Sequence, residues 1–156
     1  MNTANKGHAV VELNRIIGVA RDGQGIYAKA VAGVQDHDPQ LSALMMRMAD
    51  ANTKIVRQLT RLVRQDGGRP ARHGTALGHL RGYFGWLGGV LGDAAIQYVS
   101  EGHASEARMI RALDVAAADA QLPDGTRVML EIMLRDTRRH HDQLHASLDD
   151  MRRRDV

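Results

Sequence analysis

Apolar residues recur in steps of three and four along most of this chain, the spacing that lines up one face of an α-helix. The first such segment runs from about His8 to Gln35, with a seam of Leu13, Ile16, Ala20, Gly23, Tyr27, Ala30 and Val34. Asp36-His37-Asp38-Pro39 interrupts it. Asp38 is a good N-cap and Pro39 a good first helical residue, so a second helix starts there. Its seam is Leu41, Met45, Met48, Asn52, Ile55, Leu59 and Leu62, and Gly67-Gly68 with Pro70 stops it near Asp66. A third segment runs from about Asp93 to Ala120 on Ile96, Val99, His103, Glu106, Ile110, Leu113 and Ala117. Leu122-Pro123-Asp124 restarts the chain, and a fourth runs to about Arg153 on Leu130, Leu134, Thr137, His141, Leu144, Leu148 and Met151.

The middle of the chain has another texture. Between residues 67 and 89 there are eight glycines, with Gly92 a ninth at the edge, yet Leu77, Leu80, Phe84, Leu87 and Leu91 keep helical spacing. The pattern predicts a loop plus a short amphipathic helix near Leu77 to Leu87. The two short connections make antiparallel neighbours, whereas one this long is no hairpin. Each main helix would be roughly 40 Å long at about 1.5 Å per residue. The middle segment can therefore cross the bundle and leave the second and third helices parallel. The fold predicted is all-α, a ferritin-like four-helix bundle with one long middle crossover. Residues 1–7 form a flexible N-terminus and 8–153 a single domain.

Composition agrees with a helical reading. Phe, Trp and Tyr make up 3% of the 156 residues, too few for the usual sheet protein. There is no cysteine, which removes disulfides, thiolate metal sites and thiol catalysis. Residues 1–8 lack the apolar stretch of a signal peptide, and no apolar run is long enough to span a membrane. A cytoplasmic protein is expected. The net charge of +3 and pI of about 9.7 come from dispersed arginines such as Arg57, Arg61 and Arg64, with one terminal cluster at Arg152, Arg153 and Arg154. No stacking or base-reading element accompanies them, so nucleic acid is not an expected partner.

Polar residues interrupt every seam near its midpoint: Gly23 flanked by Asp22 and Gln24 and followed by Tyr27, then Asn52, His103 with Glu106, and Thr137 with His141. Helices of similar length bring their midpoints to one level, which predicts a polar layer across the core. Two readings compete for it. A satisfied hydrogen-bond network, joining Asp22, Tyr27, Asn52 and Thr137 to the others, would fix register. A metal site would use His103, Glu106 and His141, with Fe, Mn or Zn as the ion. The chain contains no Glu-x-x-His pair and only one sure seam carboxylate, so the di-iron pattern is not met and the network reading leads. His145 has a ligand-compatible spacing from His141 but is not favoured as a second ligand. Met45, Met46, Met48, Met129 and Met133 read as core filler. The glycines from Gly85 to Gly92 lack the preceding strand and following Lys-Ser/Thr of a phosphate loop.

Several short motifs, in order, resemble the small bacterial ferritin-like bundle proteins classed as a domain of unknown function and often described as stress-associated. They are Asp22-Gly23-Gln24 with Tyr27, Asp38-Pro39, Gly67-Gly68-Arg69-Pro70, Arg81-Gly82-Tyr83, Gly102, Leu122-Pro123 and His141-Asp142. The resemblance spans about His8 to Met151. It implies the bundle and its mid-height polar layer, but no established activity. Where that family carries Ala-Ala-Glu late in the first helix, this chain has Val31-Ala32; where it carries Glu-Arg-Gly-Glu, this chain reads Ser100-Glu101-Gly102-His103. Carboxylates are exchanged for a histidine. The function expected is that of a non-catalytic bundle protein, accessory or stress-related, without a cofactor and able to form a homodimer. The alternative is a metal-binding protein with a mid-bundle His/Glu site.

Overall fold

A computed structural model of the chain describes residues 3–34, 36, 38–75 and 91–154. Four helices account for most of them: α1 (Thr3–Val34), α2 (Pro39–Gln65), α3 (Leu91–Ala117) and α4 (Asp124–Arg154). α1 starts earlier than His8, because nothing in Ala4-Asn5-Lys6 breaks a helix once the following turns have formed. α3 is already helical at Leu91, so Asp93 lies within it and does not cap it. The short helix expected near Leu77 to Leu87 lies outside the described residues.

The caps follow local chemistry. The Asp38 carboxylate accepts from the Leu41 amide at 2.9 Å, with Pro39 in the first turn. At the other end of α2, Gly67 takes φ +80°, a left-handed conformation that glycine adopts without steric cost. The Gly68 amide then donates to the Val63 carbonyl at 2.8 Å, closing the helix end.

Contacts set the helix directions. Along α1 and α3, Tyr98 packs over Gly33, Tyr27 meets Gly102, Arg15 reaches the Ala112 carbonyl and His8 meets Asp119. Numbers rise on one helix as they fall on the other, so the two are antiparallel. α1 and α2 are antiparallel as well: Gln24 donates to the Thr53 hydroxyl at 2.8 Å, and Val10 lies by Gly68 and Val63. α2 and α3 therefore run in the same direction. α4 returns antiparallel to α3, with Leu144 near Gly102 and Arg138 paired with Asp114 at 3.1 Å. The close packings are α1 on α2, α1 on α3 and α3 on α4, which leaves the α2–α4 side as the widest.

The described start of the crossover climbs along α1. Asn14 donates to the Arg69 carbonyl at 2.9 Å and accepts from the Ala71 amide at 2.7 Å. Arg21 donates to the Ala71 carbonyl at 3.0 Å, and Asp22 accepts from both the amide and the hydroxyl of Thr75. Asp22 thus ties down the crossover and is not part of the core layer. It precedes the buried Gly23 by one residue, and a helix turns about 100° per residue, which swings its side chain to the outside of α1.

The seams bury as expected along α1, from Leu13 to Val34. On α2, Val63 takes the fully buried place expected of Leu62, which packs at its margin. On α3 the buried face is Val99, Gly102, Ser105, Glu106, Met109, Ala112, Leu113 and Ala116, while Ile96 and Ile110 are only partly buried. Two causes act here. A real helix drifts about 20° per heptad against a strict seven-residue repeat. Small residues also let the α1 and α3 backbones approach.

Replacing Asp38 by Ala removes the cap of α2. Its urea midpoint is expected to fall by the equivalent of about 1 kcal/mol with the slope unchanged, as read by far-UV circular dichroism.

Candidate polar centre of the bundle

The apolar core is two clusters. One gathers Leu13, Ile16, Leu59, Leu113 and Leu130; the other gathers Tyr27, Met45, Met48, Val99 and Leu144. Between Met48 and Ile55, between Val99 and Met109, and between Leu134 and Leu144, the buried residues turn polar: Asn52, Ser105 with Glu106, and Thr137.

Glu106 is the centre of this layer and is 3% exposed. The Tyr27 hydroxyl, on a fully buried ring, donates to Glu106 Oε1 at 2.6 Å and lies 3.2 Å from the Gly102 carbonyl. The Asn52 side chain bonds Glu106 as well and donates to the Met48 carbonyl at 3.0 Å. Two glycines make room. A Cβ at Gly23 would lie 2.9 Å from Asn52 Oδ1, and one at Gly102 would lie 3.1 Å from the Tyr27 ring. Thr137 is buried too, but its hydroxyl donates to the Met133 carbonyl of its own helix at 2.8 Å.

Burial pushes the Glu106 carboxyl up to about 7, against the pull of the bonds from Tyr27 and Asn52, which favour the charged form. Burial, reinforced by that neighbouring carboxylate, also raises the Tyr27 phenol and keeps it a proton donor. What the centre can do chemically is hold or release one proton near neutrality at Glu106 Oε1 and Oε2.

The single layer expected from the seams resolves into two groups. His103 stacks on His141, with ring centroids 4.1 Å apart, and comes within 5.4 Å of the His145 ring. His103 and His141 are partly buried; His145 is exposed. The helix geometry explains the division. Residues three apart on a helix differ by about 60° in direction, so Glu106 turns to α1 and α2 while His103 turns to α4. Among the described residues no group of three His, Cys, Asp or Glu side chains is placed to hold a metal ion. Glu106 is committed to Tyr27 and Asn52.

A groove of about 470 Å³ opens along the wide α2–α4 side, with Asn52, Glu106 and Thr137 among its lining and Arg47, Lys54 and His140 around it. Burial lowers the His140 imidazole; Asp136 opposes this, while Arg139 and Arg47 add to it. The sequence offered Gly102 only as part of a motif and His145 only as a disfavoured ligand, and neither the bond to the Gly102 carbonyl nor the approach of His145 to His103 was expected. Gly102 did carry a signal: a helix-interior glycine costs stability unless something approaches it closely.

A family comparison covers residues 8–119, which contain α1 from His8 on, α2, α3 and the whole Tyr27–Asn52–Glu106 centre. The chain belongs to that family, described as a domain of unknown function (DUF2383). Its matched stretch ends before α4, so His141 and His145 lie beyond it. No curated protein and no solved structure matches the chain.

The Glu106 environment sets a pH dependence. Between about 4.5 and about 7 the folded chain keeps a proton on Glu106 that the unfolded chain has lost. Stability contributed by the neutral carboxyl is thus present below that window and lost as pH rises through it, by about 3 kcal/mol for a shift of this size. Glu106→Gln is expected to flatten this part of the profile, checked by urea unfolding from pH 4.5 to 8. A wild type and variant with parallel profiles would show that Glu106 does not titrate in this way.

Proposed function

We propose that this chain is a non-catalytic helical-bundle protein whose buried polar centre is a register-fixing network. The observation behind this reading is that the only carboxylate buried in the described core is already engaged by Tyr27 and Asn52. A network of this kind disfavours sliding of α1, α2 or α3, because a shift of one turn would leave Glu106 buried without partners. On this reading the protein is an accessory, stress-related factor of ferritin-like type acting in the cytoplasm. Among the described residues no helix is long and apolar enough to cross a membrane. Homodimerisation belongs to the same proposal. Val11 and Val115 are exposed between the His8–Asp119 and Arg15–Ala112 contacts, and a second copy would cover them.

A second reading, metal binding through His103, His141 and Glu106, is favoured by one observation: the His103 and His141 rings already share one place in the bundle. It requires Glu106 to exchange Tyr27 for the ion.

A double-mutant cycle tests the first reading. Glu106→Leu alone, at a pH where the carboxyl is neutral, takes the shorter bond from the Tyr27 hydroxyl, leaving it only the longer one to the Gly102 carbonyl, and takes the Glu106 bond from Asn52; it is expected to cost about 1–3 kcal/mol. Tyr27→Phe with Glu106→Leu removes both ends and is expected to recover most of that loss. Thermal melts with Zn²⁺, Fe²⁺ or Mn²⁺ address the second reading, and no shift is expected. A saturable rise, about 2.7 kcal/mol at a hundredfold excess over Kd, abolished by His141→Leu, would replace the first reading with the second.

A further inference from the structure

The outer face of α1 and α2, away from the polar centre, carries a second concavity of about 650 Å³. Its nine lining residues include four arginines, Arg21 from α1 and Arg57, Arg61 and Arg64 from α2, and no acidic or aromatic side chain. Among the described residues none of these four arginines is in an ion pair, whereas Arg15, Arg127, Arg138, Arg139 and Arg153 are paired. Arg21 is held in place by its bond to the Ala71 carbonyl at 3.0 Å, made through Nε, which leaves both terminal nitrogens for another acceptor. On the floor, the Thr60 hydroxyl is buried and has no hydrogen-bond partner.

Unpaired guanidinium groups gathered on one concave face repel one another, and a site built only of donors is completed by an anion. Arg57, Arg61 and Arg64 follow one another at steps of four and three, so they form one row about 10 Å long. A single small oxyanion spans one or two of these side chains. A row with a fourth arginine facing it fits a linear anion with charge along its length. Planar guanidinium forks match phosphate oxygens two at a time. Val56 is the one apolar side chain in the lining, so a nucleobase has nothing to stack on.

We propose that the α1–α2 groove binds a short run of linked phosphate groups through Arg21, Arg57, Arg61 and Arg64. The phosphates are the recognised part. A free polyphosphate and the triphosphate of a nucleotide share that chemistry, and the bare lining favours the free form. The site does not depend on the function proposed for Glu106.

The test is calorimetric titration of the full chain with sodium tripolyphosphate at low salt. Single-site binding is expected, at least tenfold tighter than orthophosphate and weakened by added salt. Arg57→Gln with Arg61→Gln changes two exposed positions and should reduce affinity at least tenfold with an unchanged helical spectrum. Arg111→Gln with Arg135→Gln removes equal charge elsewhere and should leave affinity within twofold. ATP should bind no tighter than tripolyphosphate. The proposal fails if tripolyphosphate gives no saturable heat, or if the two double variants lose affinity equally. It fails as well if ATP, or a single-stranded oligonucleotide of four phosphates, binds tenfold tighter than tripolyphosphate.

Discussion

A carboxyl group placed in the middle of an apolar bundle must be neutralised or matched, and Glu106 is both. Its burial raises its proton affinity, and Tyr27 and Asn52 supply the donors that make the site tolerable. The surrounding sequence is shaped to that need. Gly23 is small so that Asn52 can approach from α2, and Gly102 is small so that the Tyr27 ring can lie against α3. One acidic residue thus ties three helices together, and the core divides into two apolar clusters around it.

The same centre explains why the α2–α4 side is the open one. α1 stands between α2 and α3: Tyr27 bonds α3, while Gln24 bonds Thr53 of α2 and Gly23 lets Asn52 come close. α4 is held instead by α3, through apolar contacts and the stack of His103 on His141. The Thr137 hydroxyl, the α4 polar group at this level, turns back onto its own backbone. Among the described residues no polar bond draws α4 to α2; a groove lies between them, and Glu106 is part of its lining.

The charge of the chain is organised on a separate principle. Most described salt bridges join residues three or four apart on one helix and are exposed, so each contributes little to stability. Arg57, Arg61 and Arg64 have no such partner, and the crossover fixes Arg21 opposite them through Ala71. A row of cations without an ion-pair partner among the described residues is informative about ligands in a way that paired arginines are not.

How much the sequence carried differs between fold and site. The four helices, their caps at Asp38 and Gly67, and the parallel course of α2 and α3 were legible. Each follows from local chemistry or from chain length: period, capping, a left-handed glycine, a connection too long for a hairpin. The burial of Tyr27, Asn52, Glu106 and Thr137 was legible for the same reason, since seam position predicts facing. Which of these residues bond one another was decided only in three dimensions. Glu106 and His103 are three apart in sequence and shared one predicted layer, yet a rotation of about 60° between them gives Glu106 to Tyr27 and His103 to His141. Asp22 shows the converse. Its place beside Gly23 suggested the core, but the crossover supplied Thr75 on the outside of α1. The arginine row was visible as residues and invisible as a site, because concavity and the lack of facing carboxylates are properties of two helices packed together. A periodic pattern specifies which face of a helix turns inward; it does not specify the angle at which two such faces meet, and hydrogen-bond partners are settled by that angle.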